Sequence, residues 1–226
     1  MILANVRGRL TARDLDLVVL LLSQGSATRR GMLERRLETE GPDALLDQVE
    51  LAERLLAVRT LLAPSEVLFL YVMVRQALVR SGVEQREVAD YLAALLLEFG
   101  QRDRAVRVDW NDDHCHRYLV DILADLESTQ GDRRFRVMLH LGNYALWLAG
   151  LFPQYIEARR LRRAGPDLGY YDALGRRGFA MASDHEAADR YCLDGVLETA
   201  AERYPALRLA LNELSERVLF PSGHSQ

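Results

Sequence analysis

The spacing of apolar residues constrains this chain more than any other feature. Leu45, Leu46, Val49, Leu55 and Leu56 recur at helical intervals, as do Leu119, Ile122, Leu123 and Leu126. Leu193, Val196, Leu197 and Ala200 repeat the pattern, followed by Leu207, Leu211, Leu214 and Val218. Residues three and four apart share one face of a helix, so each run forms an apolar stripe that needs a packing partner. Period-two alternation survives only over 104–110, and one short extended segment cannot build a sheet. Prolines punctuate the pattern: Pro42, Pro64, Pro153, Pro166 and Pro205 each precede a helical run, and Pro221 follows the last. In a first turn the missing N–H costs nothing and the fixed φ suits the helix.

These signals predict an all-α fold, an antiparallel multi-helix bundle of about ten or eleven helices with short loops. Helices are expected near 12–23, 29–39, 43–62, 65–81, 84–99, 114–129, 132–150, 154–163, 167–183, 186–203 and 206–219. The stretch 100–113 is the longest without a pattern. The expected organisation is an N-terminal helical subdomain 1–100, a connecting segment 101–113, a C-terminal helical subdomain 114–221 and a disordered tail 222–226, with one continuous domain as the alternative.

Composition excludes several chemistries. All 29 basic residues are arginine, where roughly ten or more lysines are usual for this length. A GC-rich genome whose codons favour arginine is the simplest cause. Without lysine there is no Schiff base, no lysine general base and no phosphate-loop lysine. The net charge of −4 is not that of a chain built to coat nucleic acid or an anionic membrane. Cys115 and Cys192 are too few for a disulfide framework and point to a reducing compartment. Asp14 and Asp16 directly before the apolar run make the start a poor signal peptide. The longest apolar run, 67–74, is far short of a membrane span. The expected location is the cytoplasm.

Candidate chemistry concentrates in the middle of the chain. The helix near 132–150 is apolar on most sides, which implies burial. Gly142, Ala145 and Ala149 form a small-residue strip that lets a neighbouring helix come close. On another face Arg136, His140, Asn143, Tyr144 and Trp147 align along one stripe. They read either as an internally bonded core or as the wall of a ligand pocket. Residues 131–180 carry nine arginines against four acids, a net +5, while the rest carries 20 arginines against 29 acids, a net −9. Arg159, Arg160, Tyr170, Tyr171 and Arg176 fall within this basic region, and guanidinium forks pair with carboxylate or phosphate. The opposite reading pairs these arginines with the acid-rich remainder.

A third feature is 110–116, where Asp112 or Asp113 with His116 could reach one metal. Capping of the next helix by either aspartate is the simpler account. His185 and Asp189 stand one turn apart, but Asp184 as a helix cap with Glu186 in the first turn explains them as well. The Glu-x-x-His pairs of a di-iron bundle are absent, as are hydrolase, dinucleotide, kinase and paired Cys-x-x-Cys motifs.

The segments LGNYALWLAGLFP (141–153) and GYYDALGRRGF (169–179) resemble an uncharacterised bacterial family of all-helical proteins, over roughly 65–221. The resemblance implies a helical fold and supplies no activity, catalytic residue or substrate.

The leading expectation is a non-catalytic helical protein that binds an anionic ligand or protein partner through 131–180. Arg136, His140, Asn143, Tyr144, Trp147, Arg159, Arg160, Tyr170, Tyr171 and Arg176 are its binding residues. One alternative is a metal-dependent enzyme using Asp112, Asp113, His116, His140 or His185. Another is single-stranded nucleic-acid binding by the arginine–tyrosine segment. No cofactor is indicated, and a homodimer is expected from the frequency of symmetric association.

Overall fold

A computed structural model describes residues 1–220. Pro221 and the tail 222–226 lie outside the described residues. The all-α expectation holds: the described residues form thirteen α-helices and no strand. They are α1 (Ala12–Ser23), α2 (Ala27–Glu40), α3 (Asp43–Leu46), α4 (Val49–Leu62), α5 (Glu66–Arg80), α6 (Arg86–Phe99), α7 (Leu119–Ser128), α8 (Gly131–Leu151), α9 (Pro153–Arg163), α10 (Leu168–Ser183), α11 (Ala187–Arg190), α12 (Asp194–Glu202) and α13 (Tyr204–Leu214). A π-helical turn, Ser215–Leu219, continues α13. None of the described helices is long and apolar enough to cross a membrane.

Helix starts follow local chemistry. Thr11 and Asp14 form a reciprocal capping box on α1, Ser65 caps α5 and Asp167 caps α10. Pro153 is the first residue of α9.

Three expected helices are corrected. The run 43–62 divides between α3 and α4, because Asp47 leaves the helix and takes three hydrogen bonds from Arg75 and Arg86 within 3.0 Å. The run 186–203 divides at Cys192, which has φ +53°. The helix expected from 114 begins at Leu119, where Asp121 accepts the N–H of Tyr118 at 3.3 Å. The alternating stretch 104–110 is a 3₁₀ turn, Arg104–Val106, followed by bends, and not extended chain.

The core is one cluster that runs from Ile2 to Val218. At its centre lies α8, packed against α10 on one side and α13 on another. The small-residue strip permits this. A Cβ on Gly178 would sit 2.5 Å from the Gly142 nitrogen and 2.9 Å from the Met138 oxygen, so α8 and α10 touch backbone to backbone. Further along, Asn212 donates to the carbonyls of Ala149 and Gly150 (3.0 and 2.6 Å) and Ser215 to that of Leu151 (2.8 Å). These bonds satisfy carbonyls that the end of α8 leaves without helical partners.

Candidate functional site

The stripe on α8 is a stack of rings. His140 lies 5.8 Å from Tyr144 at an interplanar angle of 15°, and Tyr144 lies 6.2 Å from Trp147 at 18°. Phe99, from the end of α6, packs on both His140 and Trp147. The segment 100–118 crosses this stripe and divides it into a sealed half and an open half.

The sealed half is held by ion pairs. Arg136 reaches Asp109 at 3.0 Å, while Arg133 reaches Asp112 at 2.9 Å and Asp125 at 3.1 Å. His116 is buried, with its backbone N–H donating to the Val106 carbonyl at 2.7 Å and its Nε2 3.4 Å from Asp125. Tyr91 donates to Asn143 Oδ1 at 2.8 Å. His140 is 4% exposed and its Nε2 has no hydrogen-bond partner. Burial holds its pKa well below the ordinary value, and the nearby Arg104, His116 and Arg133 add to the effect. A void of about 10 Å³ lies beside Arg136, His140 and Asn143, room for about one water. The structure buries His140 and Asn143, while Arg136 lies along Asp109 with its side chain 37% exposed.

The other half opens onto a cavity of about 510 Å³, a size typical of small-molecule sites. Tyr144, Trp147, Leu148 and Phe152 floor it, and Ala105 and Val106 form a wall with Gln101 and Asp103 at the rim. Arg117, Tyr155 and Arg159 line it too, and an adjoining groove of about 330 Å³ shares Tyr155 and Arg159 with it. Tyr118, Ala158, Arg162 and Arg163 complete that groove. The Arg159 guanidinium lies over two rings, 5.0 Å from the centre of Tyr118 and 5.7 Å from that of Tyr155. No carboxylate lies within 4.0 Å of Arg117, Arg159, Arg162 or Arg163 among the described residues, and Asp103 is the one acid in either lining. Burial pushes the Tyr144 hydroxyl up to about 12, with Tyr171 and Tyr155 adding and Arg159 and Arg117 opposing. It stays protonated and donates to the Arg117 carbonyl at 3.1 Å.

Of the residues expected at a binding site, Tyr144, Trp147 and Arg159 meet here. Tyr171 is buried close enough to Arg159 for their charges to interact, and Tyr170 sits edge-on to it at 6.1 Å. Arg160 is paired with Glu157 at 2.6 Å. Arg176 lies elsewhere, with Arg177 in an open groove against Ala201 and Glu202. Sequence reasoning missed Arg117, Tyr118 and Tyr155 altogether. Arg162 and Arg163 entered only through the charge count.

The metal candidates do not gather. Asp112 accepts the Asp109 N–H at 2.9 Å and binds Arg133, so it does not cap α7, and neither does the exposed Asp113. Asp184 ends α10, and the side chain that serves the start of α11 is His185, whose Nδ1 accepts the Ala187 N–H at 3.1 Å. Among the described residues no three His, Cys, Asp or Glu side chains are placed to share a metal ion.

Fold and site together define an all-helical protein with a cavity walled by aromatic rings and edged by unmatched arginines. No family model, curated protein or solved structure matches the chain, so the bacterial helical family that 141–153 and 169–179 resemble gains no support from them.

Proposed function

We propose that this is a non-catalytic binding protein that takes an anionic ligand at the mouth between segment 100–118 and α9. One observation carries the reading: Arg159 lies over the rings of Tyr118 and Tyr155 beside an aromatic cavity, with no ion-pair partner among the described residues. Other partly buried arginines hold carboxylates, as Arg75 on Asp47, Arg133 on Asp112 and Arg208 on Asp172, or donate to backbone carbonyls, as Arg107 to Asp112 and Arg134 to Leu126. A guanidinium stacked in one orientation loses little freedom when it grips a carboxylate or phosphate through two parallel hydrogen bonds. The basic last turn of α9 also complements the helix dipole, which accounts for Arg160, Arg162 and Arg163 but not for the stacking of Arg159. The exposed, unpaired Cys115 and Cys192 favour action in a reducing cytoplasm.

The test is thermal melting with benzoate and inorganic phosphate, each against chloride at equal ionic strength. A specific anion at a hundredfold excess over its Kd is expected to raise Tm by about 5–10 °C. Arg159→Gln should lose most of that shift, and Arg160→Gln should keep it, because Arg160 is paired with Glu157 and lines neither space. Failure of both anions to exceed chloride overturns the reading.

A further inference from the structure

We infer that the ligand has two parts, a planar aromatic ring system and a di- or triphosphate, the chemistry of a nucleoside polyphosphate. The inference rests on the anion-binding reading above and specifies what that site takes.

The site is two spaces with a shared edge. The larger is lined by aromatic rings: Tyr144 and Trp147, nearly parallel at 18°, with Phe152 edge-on to Trp147 at 4.9 Å. An aromatic lining suits a flat ring, and packing against it tolerates any base. Gln101 and Asp103 at the rim can accept hydrogen bonds from the N–H groups along a base edge. A saturated acyl chain would leave both without a role.

The smaller space is cationic. Arg159, Arg162 and Arg163 line it, with no acid in the lining and no carboxylate within 4.0 Å of any of them among the described residues. A single carboxylate or monophosphate would occupy Arg159 and leave the other two in mutual repulsion. A chain of two or three phosphates offers enough oxygens for all three guanidiniums. Arg159 and Tyr155 belong to both spaces, so a ligand that fills both passes them where its ring system meets its first phosphate.

The experiment is calorimetric titration of the full chain with a nucleoside triphosphate, the matching monophosphate, the free nucleoside and tripolyphosphate. Quenching of Trp147 fluorescence in a Trp110→Phe background is the second readout. The triphosphate should bind at least about tenfold more tightly than either the monophosphate or tripolyphosphate. The double variant Arg162→Ser/Arg163→Ser changes two exposed side chains without ion-pair partners among the described residues, so the fold should be kept, with only the small loss of their pairing with the α9 dipole. It should weaken the triphosphate about tenfold or more and the monophosphate little.

Tripolyphosphate binding as tightly as the triphosphate would remove the aromatic half of the inference. A monophosphate equal to the triphosphate, or a double variant without effect, would remove the polyphosphate half. If nucleotides leave the protein unchanged while benzoate or phosphate still raises Tm through Arg159, this inference fails and the anion site stands. If no probe acts in either experiment, both fall. A single-stranded oligonucleotide that binds over tenfold more tightly than the triphosphate, with affinity falling steeply in salt, would overturn the inference in favour of nucleic acid.

Discussion

His140 combines a fully enclosed imidazole with a ring nitrogen that bonds to nothing. Charging it would place a proton in a buried site of low dielectric, beside Arg104 and Arg133. The folded protein therefore keeps it neutral at a pH where the unfolded chain's imidazole, with its ordinary pKa near 6.5, is already charged. Below that pH the unfolded state binds one more proton, so this residue lowers stability by about 1.4 kcal/mol for each further pH unit until the depressed folded pKa is reached. Urea unfolding at pH 7.5 and 5.5 measures the difference. In His140→Leu the loss between the two should shrink by about 1 kcal/mol. An unchanged difference would mean that His140 is charged in the native protein. The stripe was readable from spacing along the helix, but which of its residues segment 100–118 covers was not. Which residues cover a helix face depends on a segment that ends 13 residues before α8 begins.

Among the elements, α8 and α10 cross backbone to backbone. Gly142 and Gly178 face each other with no space for a side chain. Gly178→Ala would push a methyl group into the backbone of α8, which cannot yield as a flexible side chain would. The expected loss is about 1–3 kcal/mol, the usual range for overpacking, read as a lower denaturation midpoint with unchanged slope. Gly31→Ala is the control, since Gly31 lies within α2 and meets nothing within 4 Å; it should stabilise by up to about 1 kcal/mol through helix propensity. Equal effects would show that the close approach is not rigid. The close approach itself was legible as the strip Gly142, Ala145 and Ala149, because small residues at helical spacing leave few other uses. Helix ends were legible where proline or a capping Ser, Thr or Asp fixed them. They were not where tertiary bonds decided, as at Asp47, which serves Arg75 and Arg86 instead of continuing a helix.

At the scale of the whole molecule, the site exists only because 100–118 is strapped across α8. Arg117 and Tyr118 lie at the end of that segment, outside the window where charge inverts, so neither composition nor periodicity pointed to them. Arg159, which lies over Tyr118, is 41 residues beyond it and reaches it through the packing of α9. The strap's polar hold is Arg133, which binds Asp109, Asp112 and Asp125 together. The carboxyl of Asp109 would be raised by its burial, but Arg136 and Arg133 outweigh that and hold it below the usual range. Its contribution is therefore complete above pH ~4 and fades as pH falls through the depressed value. Arg133→Met keeps the aliphatic stem and removes the charge, leaving three carboxylates to share Arg136 and His116. Arg133 is 34% exposed, so the expected global cost is only about 1 kcal/mol. The local effect should be larger. Amide exchange over 100–118 should quicken while α5, α6 and α8 keep their protection, and the anion-dependent rise in Tm should fall because one wall of the cavity has loosened. If exchange over 100–118 stays at the wild-type rate, the buried Ala105, Val108 and Arg104 alone hold the strap, and the ion pairs on α8 serve only to neutralise one another.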